Sequence, residues 1–329
     1  MIVSRTPLRV SLAGGGSDLP SFYRREEGAV VSFTINKCVY LACHNLYAEG
    51  IRLSYSRTEN VRRVSEIVHP LIRETLKALD FESNIEIGSF ADVPASGTGL
   101  GSSSAFTVGL VNTISTFMGK NCDPAYLARM ACEIEIARCQ EPIGKQDQYA
   151  AAFGGISSFR FHENEDVTVT SLSDDSTSKF LESALMLFDL GFGRKASEIL
   201  ARQSVAMSQE SSFGRVRALR DLVKPMCDAI SSKDYKVMAD VLAESWELKR
   251  EVATGITNTE IQEIHDRALA SGALAGKVVG AGGGGFLLLV VNPEDRARFK
   301  KNFDSLRELE FQVSQAGSTI VFNDENQPR

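Results

Sequence analysis

Between Pro94 and Ala105 the chain sets glycines at 97, 99 and 101 and then three serines, Ser102, Ser103 and Ser104, at the head of an apolar stretch. Glycine tolerates positive φ and close backbone approach, so alternating glycines let successive N–H groups converge on one anion. Phe106, Leu110, Ile114 and Phe117 follow at helical spacing and predict a helix. Its free N–H groups and positive dipole end would point at the same place. A flexible Gly/Ser linker would stay polar on both sides, whereas this run is framed by Pro94 and a patterned helix. The segment therefore reads as a cradle for nucleotide phosphate through Pro94, Ser96, Gly97, Gly99, Leu100, Gly101 and Ser102–Ser104. No lysine follows Gly101, so the GxxxxGK[ST] loop is absent and a P-loop NTPase is excluded.

With 329 residues the chain exceeds the usual size of one domain, which predicts two lobes. Apolar residues make up 43% and charged residues 24%, and no apolar run approaches the roughly 20 residues that cross a bilayer, so a soluble globular protein without membrane partners is expected. Met1–Pro7 lacks a basic head followed by an apolar stretch, which predicts a cytoplasmic location. A net charge of −6 argues against nucleic acid as a partner, and an anionic small substrate would need a local basic pocket. Six cysteines without CxxC pairs and four histidines without ligand spacing give no zinc pattern. A homodimer stays open.

Leu8, Val10 and Leu12 alternate with Arg9, Ser11 and Ala13, a half-buried strand that runs into Gly14-Gly15-Gly16-Ser17-Asp18. One or two strands are expected over 30–46, a helix over 61–79, a strand over 85–90, then the cradle and its helix. Asp123-Pro124 caps a further helix that passes Glu133 and Glu135. A hairpin over 156–172 follows. The polar stretch 173–179 is the expected boundary, giving an N-terminal nucleotide-binding lobe over 1–175 and a C-terminal lobe over 176–329. The second lobe reads as a strand over 184–188, helices near 195–210, 214–230, 233–251 and 258–271, a strand over 286–291, a helix over 294–304 and a last strand near 309–314. The overall class is α+β. Gly280, Gly282 and Gly285 satisfy GxGxxG, but a helix precedes them and a strand follows, the reverse of a dinucleotide fingerprint.

Several residues could carry chemistry. Asp147, beside Lys145 and before a glycine turn, is either a helix cap or a carboxylate that accepts a proton from a substrate hydroxyl. Glu133 and Glu135 point to opposite sides of a helix, so one of them can join Ser103 in holding Mg²⁺. Arg9 could reach a transferring phosphoryl group, and Asp18 could accept hydrogen bonds from sugar hydroxyls. Each could instead be structural.

Three segments in this order, Thr6–Asp18, Pro94–Ala105 and Lys277–Phe286, resemble the GHMP kinases, the superfamily of galactokinase, homoserine kinase, mevalonate kinase and phosphomevalonate kinase. The resemblance spans nearly the whole chain. It implies a two-lobed α+β fold with nucleotide and acceptor bound between the lobes. It also implies ATP and Mg²⁺ as cofactors, Ser103 and a glutamate as metal ligands with Glu135 favoured and Glu133 open, and Asp147 as base. Arg9 matches the basic residue near the substrate hydroxyl and Asp18 the sugar-contacting acid, with Gly16, Ser17, Gly283 and Gly284 beside the acceptor and Lys145 near the chemistry.

Arg5–Asp18, Gly144–Gly155 and Trp246–Arg250 are most similar to the bacterial heptose 7-phosphate kinase branch, with fucose kinases close by. A substrate already bearing phosphate demands cations away from the ATP cradle. Arg194 and Lys195 after a strand end are candidates, and Lys249 and Arg250 form another basic pair. A neutral-sugar 1-kinase and a catalytically silent sugar or nucleotide sensor are the alternative readings.

Overall fold

The first strand sets the architecture, because both of its faces are covered. In the computed structural model, which describes residues 1–324 apart from Ser83, Ala95, Ser96, Arg194 and Lys195, β1 runs over Ile2–Ala13 and pairs antiparallel with β2, Gly28–Asn45. Leu8, Val10 and Leu12 enter the core with no exposure, and the alternation turns Arg9 and Ser11 to the opposite face. The register jumps from Pro7↔Cys38 to Leu8↔Ile35, leaving two extra residues on β2. Proline, which has no N–H to give a ladder, is tolerated at such a bulge.

The remaining strands are β3 (Ile51–Ser54), β4 (Thr58–Val61), β5 (Ile85–Ala91), β6 (Ile156–Phe161), β7 (Val167–Ser171), β8 (Leu185–Asp189), β9 (Ala275–Val278), β10 (Phe286–Val290), β11 (Arg307–Glu308) and β12 (Thr319–Asn323). The larger sheet runs β12-β1-β2-β5-β3-β4, with the hairpin β6–β7 joined through the first half of β2. The smaller sheet runs β11-β8-β10-β9. Helix Ser102–Phe117 lies on β1 and β2, where Gly109 permits contact: a Cβ there would stand 2.7 Å from Thr6 Oγ1. Helices Glu210–Asp221, Val223–Ser232, Tyr235–Arg250 and Thr259–Ala270 pack around the smaller sheet and the inner end of β1. The α+β organisation matches the expectation.

The one or two strands expected over 30–46 are one continuous strand, β2, over 28–45, whose two halves find different partners, β6 and then β5. Three features differ in detail from the sequence reading. The helix expected over 61–79 covers only Pro70–Ala78, because proline at its first position ends whatever precedes it. The polar stretch at 173–179 lies across the start of helix Asp175–Ala184. The last strand forms at Thr319–Asn323 and returns to β1, so the chain after 176 does not stay in one lobe. Of the stretch 309–314, only Val313 bridges, to Ile35. No helix among the described residues is long and apolar enough to cross a membrane.

Candidate functional site

The three glycine-rich segments converge on one cleft of about 310 Å³ between the two sheets. Gly97, Gly99 and Gly101 all have positive φ, 78°, 72° and 74°, alternating with Thr98 and Leu100 as the cradle reading requires. Gly101 occupies the left-handed region immediately before helix Ser102–Phe117 and offers no side-chain cap, so the helix's first N–H groups are left open to a ligand. The loop is fixed to β1, where the N–H of Arg9 donates to Leu100 O at 3.0 Å.

Arg9, 4% exposed, makes a two-pronged pair with Asp147: Nε to Oδ1 and Nη2 to Oδ2, each 2.7 Å. Its Nη1 donates to Gly99 O. One guanidinium thus ties the cradle to the acid, a geometry that lysine's point charge would not reproduce. Asp147 stands in the first turn of helix Gln146–Phe153 and retains an accepting lone pair on each oxygen toward the cleft. A Cβ at Gly101 would lie 3.2 Å from Arg9 Cγ and 3.3 Å from Asp147 Oδ2, so the absence of a side chain there leaves room for the pair.

Asp18 lies deeper in the cleft wall and accepts from the N–H groups of Gly16 (3.1 Å) and Gln146 (3.3 Å). Burial pushes its carboxyl up to about 6, the charge of Asp147 adds to this, and the two N–H groups oppose it. Beside the cradle, Ser103 Oγ donates to Glu135 Oε1 at 3.0 Å, and Gln148 Nε2 to Glu135 Oε2 at 2.6 Å. Glu135 is fully buried, makes no ion pair among the described residues, and is pushed up to about 7 by burial. Glu133 is turned outward to Arg138. A π-helical stretch, Glu133–Arg138, interrupts the helix at this point, a local widening found often at functional sites.

A buried, uncompensated carboxylate against a hydroxyl gives hard oxygen donors suited to a small divalent cation. No cluster of three or more His, Cys, Asp or Glu able to hold a metal occurs among the described residues, so such an ion would need ligand oxygens from phosphate.

Two family models match the chain: the GHMP kinase N-terminal domain over residues 63–155 and the GHMP kinase C-terminal domain over 226–305, together just over half of it. The protein is a GHMP kinase. Among relatives, it is 29% identical over 311 residues to D-glycero-alpha-D-manno-heptose 7-phosphate kinase of Campylobacter jejuni, spanning 89% of this chain and 90% of that one. It is 23% identical to the L-fucokinase/L-fucose-1-P guanylyltransferase of Bacteroides fragilis, spanning 92% of this chain but 36% of that protein. Among solved structures, a D-glycero-D-manno-heptose 1-phosphate kinase from Bacteroides thetaiotaomicron superposes with TM-score 0.80 at 24% identity, covering 98% and 99% of the two chains. Streptococcus pneumoniae phosphomevalonate kinase in complex with phosphomevalonate and AMPPNP superposes with TM-score 0.77 at 12% identity, covering 95% and 100%. These structural likenesses establish the fold. Membership makes this GHMP kinase a phosphotransferase.

Most site residues expected from the sequence meet in the cleft: Arg9, Gly16, Asp18, Gly97, Gly99, Gly101, Ser102–Ser104 and Asp147 all line it. Others do not. Lys145 does not line the cleft: its Nζ donates to Glu165 O (2.9 Å) and Glu165 Oε2 (2.5 Å) above the Tyr23 ring. Ser17 is fully buried and its Oγ lies 2.7 Å from both Gly14 O and Ala29 O, so it shapes the first glycine turn and does not line the cleft. Gly283 and Gly284 do not line the cleft: Gly283 N–H donates to Ile256 O, and a Cβ on Gly284 would meet Phe192 O at 2.6 Å. Leu100 contributes through its backbone, and Pro94 does not line the cleft. Ser96, Arg194 and Lys195 lie outside the described residues.

Gln146, Gln203, Ser245 and Lys277 also line the cleft, and the motif reading gave them no role. Ser245 and Lys249, four residues apart on one helix, are a pairing that helical spacing could have exposed. Gln203 comes from a distant helix and carried no local signal.

Proposed function

We propose that the protein transfers the terminal phosphoryl group of ATP to the anomeric hydroxyl of D-glycero-D-manno-heptose 7-phosphate, giving the 1,7-bisphosphate. The observation that carries the reaction is the Arg9–Asp147 pair, which stands at the seam between the phosphate cradle and the cleft, so an acceptor hydroxyl beside Asp147 faces a nucleotide held by residues 97–104. The choice of acceptor rests on the Campylobacter jejuni relative.

Phosphoryl transfer passes through a loose transition state, so positioning and electrostatics supply most of the acceleration. The backbone N–H groups of the cradle and of the helix start at Ser102 hold the triphosphate. Ser103 and Glu135 would hold Mg²⁺, which supplies charge neutralisation on phosphate oxygens when bound. Arg9 holds Asp147 in one orientation. Asp147 accepts the acceptor's proton through the lone pairs Arg9 leaves free, worth roughly 10²–10⁴-fold. Asp18 accepts from sugar hydroxyls, and Gln146 Oε1, buried at the cleft without a hydrogen-bond partner, is a second acceptor for them.

The test is ADP release with D-glycero-D-manno-heptose 7-phosphate, unphosphorylated heptose, fucose, galactose and mannose as acceptors. The proposal expects the 7-phosphate to give the highest kcat/KM. A neutral sugar winning by a wide margin would move the reading to a 1-kinase like the fucokinase relative, and binding without ADP release would make the chain a sensor.

A further inference from the structure

Two lysines in the cleft wall, Lys249 and Lys277, have no counter-charge among the described residues. Lys249, in the last turn of helix Tyr235–Arg250, donates from Nζ to the carbonyls of Val278 (2.9 Å) and Gly280 (2.5 Å). Lys277, on β9 and 3% exposed, donates to Leu12 O at 2.9 Å. Neither forms an ion pair among the described residues. Arg9, whose charge bears on both, is committed to Asp147. Burying an ammonium group without a partner is costly, and carbonyl contacts alone return little of that cost. Burial, with the charge of Arg9, pushes Lys277 down to about 7, and burial with both neighbouring cations pushes Lys249 down strongly.

Their location says what would balance them. Gly280 packs backbone to backbone on the cradle, where a Cβ would fall 2.5 Å from Gly99 Cα, so the Lys249 ammonium sits at the seam of the second and third glycine segments. Leu12, the partner of Lys277, leads directly into the first glycine turn. An ammonium has three N–H donors; Lys249 spends two on carbonyls and Lys277 one, which leaves three for a ligand. A phosphoryl group presents three peripheral oxygens.

We propose that Lys249 and Lys277 together form a phosphoryl-binding subsite at the meeting point of the three glycine segments. The group they hold is a phosphoryl dianion, supplied either by the terminal phosphate of the donor or by the phosphate the acceptor already carries. The second source rests on the sugar-phosphate reading given above, and the first does not.

The experiment uses the full chain with Lys249→Met and Lys277→Met. Titration calorimetry gives two ratios for each protein: the affinity for AMPPNP over ADP in the presence of Mg²⁺, and the affinity for D-glycero-D-manno-heptose 7-phosphate over unphosphorylated heptose. Losing a charged hydrogen-bond partner should cut one ratio by roughly tenfold or more in both variants. A fall in the first ratio assigns the subsite to the donor, and a fall in the second to the acceptor. Both ratios staying within about twofold of wild type in folded variants overturns the proposal.

Should either variant fail to fold, Lys249→Gln and Lys277→Gln, which keep an N–H donor for the carbonyls but carry no charge, are read by the same two ratios, and both ratios staying within about twofold of wild type in those folded variants overturns the proposal. If no sugar supports ADP release, the acceptor reading fails while the donor ratio continues to report on the lysines.

Discussion

Replacing Glu135 by glutamine should make the protein more stable while disabling it. Glu135 is fully buried, and burial with a smaller push from the charge of Asp147 raises its carboxyl from 4.5 to about 7 against hydrogen bonds from Ser104, Gln148 and Ser103. Moving a carboxyl that far corresponds to about 3 kcal/mol, an order-of-magnitude figure. The sign follows from proton counting. Between 4.5 and about 7 the folded chain binds more protons than the unfolded one, so stability declines as pH rises through that window. The Glu135→Gln variant has no such loss. Its new amide can also keep both contacts, because Gln148 Oε1 is buried without a partner and an amide flip of Gln148 turns that oxygen into the acceptor the variant needs. Without ligands near pH 8.5, Glu135→Gln should therefore gain about 1–3 kcal/mol, or roughly 2–6 °C in Tm for a chain of this size. Near pH 5, where Glu135 keeps its proton in the folded state, the two proteins should melt within about 2 °C of each other. Mg-AMPPNP should raise the Tm of the wild type and leave that of the variant much less changed. Scanning calorimetry at the two pH values is the assay. A variant no more stable than wild type at the higher pH, or a gap equal at both, would refute the reasoning.

Three further substitutions test other parts of the cleft. Asp147→Asn should lower kcat by roughly 10²–10⁴-fold with the KM for ATP changed little, measured by coupled ADP release; a kcat within about threefold of wild type would remove the base from the account. Gly101→Ala adds a Cβ at φ 74° against the Arg9–Asp147 pair, and should cost about 1–3 kcal/mol in denaturant unfolding together with a large loss of turnover. Lys145→Met should lower Tm by removing the Glu165 contact, whose carboxyl is pushed up by burial but held down to about 2 by Lys145, Tyr23 and Arg24, and should leave kcat within a few-fold of wild type.

The cradle was legible because its signal is local. Alternating glycines at 97, 99 and 101 ahead of a patterned helix permit positive φ and leave N–H groups open at the helix start, and the structure shows positive φ at all three. Arg9 was legible for a similar reason, since period-two alternation on β1 places it opposite Leu8 and Val10. Spacing alone left Glu133 and Glu135 equivalent; the decision came from packing, which buries one against Ser103 and leaves the other to Arg138 at the surface. Lys145 misled because proximity to Asp147 in sequence says nothing about which side of a helix start a long side chain takes. The return of β12 to β1, from the opposite end of the chain, has no local signature. Lys277 was visible within its motif, but that no carboxylate among the described residues pairs with it emerges only once β9 packs against the end of β1.

The most direct test of the central claim is a crystal structure of the full chain with Mg-AMPPNP. The β- and γ-phosphates should lie against the N–H groups of residues 97–104, metal between Ser103 and Glu135, and the terminal phosphate should face the Arg9–Asp147 pair. A triphosphate bound elsewhere, with that loop empty and Asp147 remote from it, would contradict the account.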